Sequence, residues 1–127
     1  MSGNLEIRNV IGSFFRLQLN VKMVHWHTTN HNLHKITDSL HKNILDLTDR
    51  FVETYLGNYG DFTKDDIKPS CIEVQVLRDE ELKPYLQNVI KSMILSSLYD
   101  KVSGDLRAIL DEMLELINTN IYLLRGI

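Results

Sequence analysis

The sequence predicts an all-α fold in a single domain over residues 1–127: two antiparallel helix hairpins joined by one long crossover. Three observations predict it. Apolar residues recur at steps of three and four through four segments, the spacing that gathers them on one helical face. The main glycine and proline punctuation falls at two places, Gly57 to Pro69 and Gly104. The turns inside each pair of segments are short, whereas about 25 residues separate the pairs, enough to travel the length of a bundle.

The first helix runs from about Leu5 to Trp26, with Ile7, Val10, Ile11, Phe14, Leu17, Val21 and Val24 on its apolar face. Asn30 suits the N-cap of the second helix, because its side chain can accept a free backbone N–H of the first turn. That helix carries Leu33, Ile36, Leu40, Ile44, Leu47, Phe51 and Leu56 and should stop at Gly57. A short turn makes the two antiparallel. In the crossover, "GDFTKDDIKPS" is polar loop, while "CIEVQV" alternates apolar and polar residues as a short strand or extended piece would. The third helix spans about Leu82 to Lys101 with Pro84 tolerated in its first turn. Ser103 or Asp105 caps the fourth, whose face carries Leu106, Ile109, Leu110, Met113, Ile117, Ile121 and Leu124. Met23, Met93 and Met113 suit core filling, and Trp26, Tyr55, Tyr59 and Tyr85 are expected to pack.

Hydrophobic residues make up 43% and charged residues 24%, values of an ordinary globular chain. The net charge of −3 argues against sequence-independent binding to DNA or to an anionic membrane, both of which need surplus Lys and Arg. No basic start leads into an apolar run, and no run of about 18 apolar residues occurs. The expectation is an intracellular, cytoplasmic protein without a membrane span. The single Cys71 cannot form an internal disulfide, which suits a reducing compartment, and no histidine near it in sequence would activate it.

All five histidines lie between His25 and His41. On the second helix His34 and Asp38 are four apart, and so are Asp49 and Glu53, so each pair occupies adjacent turns of one face. From Asp38 to Asp49 is close to three full turns, so both pairs face the same way yet stand about 16 Å apart. No single ion bound at about 2 Å reaches both. A second copy of the helix laid antiparallel, with its two-fold axis between Asn43 and Ile44, brings Glu53 to His34 and Asp49 to Asp38 at two equivalent sites. It also brings His41 near Asp46. His25, just before the turn, can complete each site. Two imidazoles and three carboxylates suit iron, manganese or zinc. His27 and His31 read as bystanders. Asp111, Glu112 and Glu115 read as a solvated face, because the first helix offers only Glu6 to complete a site with them.

These residues resemble the Dps-like mini-ferritins. The match comprises His25-Trp26 closing the first helix, His34 and Asp38 opening the second, Asp49 and Glu53 in its second half, and the step between the pairs. It is specific over about His25 to Gly57. The resemblance implies a ferritin-like four-helix bundle and a homo-oligomer built on the two-fold dimer, up to a twelve-subunit cage. It also implies a di-iron ferroxidase site between subunits, which oxidises and stores iron. His25, His34 and Asp38 would be ligands from one chain and Asp49 and Glu53 from its mate, with Trp26 as the adjacent aromatic. The interval from His25 to His34 is shorter than that family's, and no Lys-rich N-terminal segment is present, so DNA binding is not expected. The C-terminal "LDEMLELINTNIYLL" resembles compact ferritin-like proteins encoded by large DNA viruses and phages. That second likeness implies the rival reading, a structural or virion-associated bundle without turnover.

Overall fold

A computed structural model describes the chain over residues 2–62, 73–95 and 98–127, with side chains over 9–62, 73–94 and 99–127. α1 spans Ser2–His27 and buries Ile11, Phe14, Leu17, Val21 and Val24 along one stripe. α2 spans His31–Tyr59 and turns Leu33, Leu40, Ile44, Phe51 and Tyr55 inward. Burial of each such side chain contributes about 1.5–3 kcal/mol. Phe14 meets Phe51 edge-on with ring centroids 5.6 Å apart, while His25 lies against His34, so the two helices run antiparallel. The turn between them is set by Asn30, whose backbone is extended and whose side-chain oxygen accepts the Leu33 N–H at 3.0 Å.

α2 does not stop at Gly57. It continues to Tyr59 and ends at Gly60, where φ reaches 88° and the Gly60 N–H donates to the Leu56 carbonyl. The extra turn is held by its own packing. Tyr55 lies 5.1 Å from Tyr59 and stacks on Phe62 at 5.4 Å between ring centroids. A glycine inside a helix costs only about 1 kcal/mol, so this packing overrides it.

Beyond α2, Cys71 and most of the polar crossover lie outside the described residues. The described part of "CIEVQV" is not a strand: residues 73–78 have no regular secondary structure, and no strand occurs among the described residues. Alternation needs a neighbouring edge to become a strand. Here the Gln75 N–H donates to the Asn20 side chain at 2.7 Å instead, and Val74 and Val76 are left exposed.

A 3-10 turn over Asp79–Glu81 leads into α3, Leu82–Leu95, with Pro84 in its first turn. The helix expected to reach Lys101 is divided: α3 ends at Leu95, and α4 is a separate turn over Leu98–Lys101. α5 follows over Gly104–Leu123, with Ser103 at its N-cap and Asp105 accepting the Leu106 N–H at 2.9 Å. α5 buries Leu106, Ile109, Leu110, Met113 and Ile117. It runs antiparallel to α2, tied by Arg50 to Glu112 at 2.8 Å and by Asn58 to Asp105 at 3.1 Å. α3 packs on α5 and on α1, where the buried Asn20 donates to the Tyr85 hydroxyl at 3.0 Å. Met113 is fully buried, whereas Met23 and Met93 are half-buried. The chain is thus all-helical in its described regular structure, and no described helix is long and apolar enough to cross a membrane.

Candidate metal centre

The α1–α2 turn brings the histidine-rich stretch together. Thr28 accepts the Asn30 N–H at 3.1 Å and donates to Asp79 at 2.9 Å, pinning the turn to the start of α3. Val24 and Leu33 are buried beneath it. With the helices antiparallel, the last turn of α1 faces the first three turns of α2.

Two hydrogen bonds cross this seam reciprocally. His25 Nδ1 donates to the His34 carbonyl at 2.9 Å, and His34 Nδ1 donates to the His25 carbonyl at 3.0 Å. A carbonyl only accepts, so each ring carries its proton on Nδ1, and when neutral keeps a lone pair on Nε2. The rings stack with centroids 4.0 Å apart. Thr37, which donates to the Leu33 carbonyl at 2.8 Å, sets its oxygen 3.3 Å from His25 Nδ1 and steadies the ring further.

His25 Nε2 is therefore aimed across the seam, 3.8 Å from Asp38 Oδ1. The same oxygen lies 3.5 Å from His41 Nε2. Donor atoms of His25, Asp38 and His41 all fall within 4.8 Å of one another. Nitrogen and oxygen ligands sit about 2.0–2.2 Å from a first-row ion, so two of them at 90–120° around it are about 2.8–3.8 Å apart. Both separations from Asp38 fall in that range and exceed a good hydrogen bond. The donor set fits a borderline divalent ion.

The electrostatics are divided. Lys42 donates to Asp38 at 3.1 Å, and this bond, more than the nearby imidazoles, holds the Asp38 carboxyl below its ordinary range. His41 is buried, and its protonation is disfavoured first by that burial, then by Lys22 and His25, against the pull of Asp38. Its Nδ1 is buried with no hydrogen-bond partner among the described residues.

Of the residues singled out from sequence, His25 and Asp38 meet here and His34 stacks beside them. Asp49 and Glu53 lie in the far half of α2, exposed and without a hydrogen-bond or ion-pair partner among the described residues. His41, for which an intersubunit contact with Asp46 is the expectation, is turned within the single chain into the α1–α2 seam against Asp38. Its position was readable, because it stands four residues after buried Thr37 and three before buried Ile44. Trp26 is not packed: it is 63% exposed, with the Lys22 ammonium 5.4 Å from its ring centroid. It sits about 200° around the helix from buried Val24. His27 and His31 are exposed outside the cluster. Glu112 is engaged by Arg50, and Asp111 accepts the Tyr99 hydroxyl, so both belong to a solvated, paired face.

A family model matches residues 25–124, and its description is a family of unknown function (DUF5856). No curated protein and no solved structure matches the chain.

Proposed function

The chain belongs to this family of unknown function, and from the site we propose that it is a ferritin-like four-helix bundle that binds and oxidises iron(II). The ligands are shared between two copies. His25, His34 and Asp38 come from one chain, and Asp49 and Glu53 from a second copy whose α2 crosses antiparallel.

The observation that carries this reading is the aim of His25 Nε2 at Asp38 Oδ1, 3.8 Å away, with the ring's proton held on the other nitrogen. A lone pair facing a carboxylate oxygen calls for a cation between them. One chain can hold a divalent cation only loosely and supplies too little negative charge for the iron(III) that oxidation leaves, because Lys42 already offsets Asp38 and Lys22 stands close by. The unpartnered Asp49 and Glu53 supply the missing charge only from a second copy. Leu45, 40% exposed between Asp38 and Asp49 on the same stripe, gives that crossing an apolar contact. The helix pairings, α1 with α2 and α3, and α5 with α2 and α3, agree with two antiparallel hairpins and a crossover.

The oxidant is peroxide or oxygen; with hydrogen peroxide, each of two iron(II) ions gives one electron. The O–O bond breaks, and both oxygens leave as water after taking up two protons. The carboxylates offset the added charge of iron(III), and the imidazoles, which carry no charge when neutral, keep it from accumulating too much anion. Manganese and zinc suit the same donors. Storage of the product requires assembly beyond the dimer.

The test is iron(II) oxidation followed by ferric absorbance, beside the native mass. Wild type oxidises iron as a dimer or larger assembly, and Asp49→Ala with Glu53→Ala abolishes oxidation; unchanged oxidation in that variant rejects the reading. A structural bundle without turnover has one observation in its favour, the Lys42–Asp38 ion pair, which balances the carboxylate with no metal at all. Native mass above a monomer with no iron oxidation would select it.

A further inference from the structure

The shared site leaves His41 without a role. Yet His41 is the one polar group of the cluster that the fold has buried, and it shares an Asp38 oxygen with His25. We propose that His25, Asp38 and His41 of a single chain form a first-loading position for a divalent transition-metal ion, filled before any second copy adds its carboxylates. The inference rests on the metal reading above and adds to it a position that needs no partner.

The three donors come from two helices whose relative placement is fixed by the Asn30 cap, the Thr28 pin and the buried Val24 and Leu33. Two of the three are preorganised. His25 is locked by its Nδ1 bond to His34 and by Thr37, the kind of support that sets a ligand's tautomer and direction. His41 is held by burial. Asp38 is 43% exposed and can swing its oxygen from Lys42 towards an ion arriving from solvent. The greatest donor separation is at most 4.8 Å, about 1 Å beyond the roughly 3.8 Å spanned by ligands 120° apart on an ion, so the donors need to close slightly on the ion.

The set is two imidazoles and one carboxylate on one side of an ion, with the remaining positions open. That pattern suits iron(II), cobalt(II) or zinc over calcium or magnesium, which prefer oxygen donors. His41 Nδ1 has no acceptor among the described residues, so this ligand lacks there the outer support that typically adds about 10–100-fold in affinity. The position is therefore exchangeable, as one that hands metal onward must be, rather than a tight structural centre.

The experiment titrates cobalt(II), whose visible absorption reports nitrogen and oxygen ligation, into the full chain and its variants. Asp49→Ala with Glu53→Ala, which removes the second copy's ligands, still binds one cobalt(II) per chain. His41→Phe, which preserves buried volume, and Asp38→Asn each weaken that binding at least ~100-fold, with circular dichroism confirming an intact helical fold. Wild-type affinity in His41→Phe, or loss of the one-per-chain cobalt in the Asp49/Glu53 variant, overturns the proposal. Should His41→Phe unfold, His41→Gln replaces it and is read the same way. Iron oxidation that persists in the Asp49/Glu53 variant defeats the shared ferroxidase site while leaving this position standing, so the two failures are separable.

Discussion

The His25 and His34 imidazoles lie stacked 4.0 Å apart, and each donates its Nδ1 proton to the other's backbone carbonyl. This pairing joins the last turn of α1 to the first turn of α2 and gives the seam a rigid end. It also decides which nitrogen of His25 is left to bind. His34→Ala should therefore do two things. Loss of one hydrogen bond and the stack should lower stability by about 1 kcal/mol, read from a urea titration. Loss of the support for His25 should lower metal affinity by about 10–100-fold, read by competition with a chelating dye. His34→Phe, which retains a ring to stack but no donor, should recover part of the stability and none of the affinity that depends on a His34 nitrogen.

On the proposed metal reading, Lys42 competes with the ion for Asp38. Its ammonium lies 3.1 Å from Oδ2, and the bond is the largest cause of the depressed Asp38 carboxyl. Both groups are solvent-exposed, so the pair is weak. Lys42→Met should raise cobalt(II) affinity by no more than about fivefold, and the gain should shrink as salt is added, because salt screens the competing ammonium first. Isothermal titration at two ionic strengths checks both statements.

The end of α2 separates two glycines. Gly57 lies within the helix with open space around the position of a Cβ, so Gly57→Ala should stabilise by about 0.5–1 kcal/mol. Gly60 also has open space, but its φ of 88° and ψ of −175° belong to a region nearly restricted to glycine. Gly60→Ala should destabilise by about 1–3 kcal/mol. Thermal melts of the two variants should move in opposite directions. Shifts of the same sign would mean that the helix stops elsewhere.

That contrast shows what the sequence makes legible. Apolar spacing and the Asn30 cap mark where α1 and α2 run, because both depend on local chemistry. Whether Gly57 or Gly60 ends the helix depends on the ring packing of Tyr55, Tyr59 and Phe62, which no single glycine encodes. The alternation of "CIEVQV" fits a strand or an extended piece equally, and no strand edge is available to it among the described residues, where Asn20 takes the Gln75 amide. The site was half legible. His25 and Asp38 follow from their positions at the helix ends, but the count of apolar positions along α2 skipped Thr37, His41 and Thr48, all buried. A polar residue on the apolar stripe was the available sign of His41. Trp26 shows the reverse, an aromatic that faces water.

Acid should weaken the α2–α5 junction. Ser103 and then Asn58 hold the Asp105 carboxyl below its ordinary value of 3.8, and Arg50 holds that of Glu112 below 4.5. Each group binds its proton less readily when folded than when unfolded. Their contribution is complete above the ordinary values and is lost as pH falls through the lowered folded values. Urea midpoints should thus decline below about pH 4.5, and the decline should be shallower in Asp105→Asn. An equal slope in that variant would place the acid sensitivity elsewhere.

Asn20 offers the sharpest test of how the crossover is tied to the bundle. Its side chain is fully buried, donates to the Tyr85 hydroxyl at 3.0 Å and accepts the Gln75 N–H at 2.7 Å. One α1 residue therefore fastens both α3 and the segment that precedes it. Burial of Tyr85 pushes its hydroxyl pKa up, the Asn20 bond partly offsetting this. Asn20→Leu would keep most of the volume but leave the Gln75 amide and the Tyr85 hydroxyl without this partner. The cost should be about 1–3 kcal/mol, the penalty of stranded polar groups rather than of lost packing. The location of the damage discriminates more than its size. Hydrogen exchange should show the Gln75 amide losing its protection, while the Leu33 amide, held by Asn30 at the other side of the turn, exchanges no faster than global unfolding requires. Equal loss at both amides would mean that Asn20 supports the whole bundle and not the crossover.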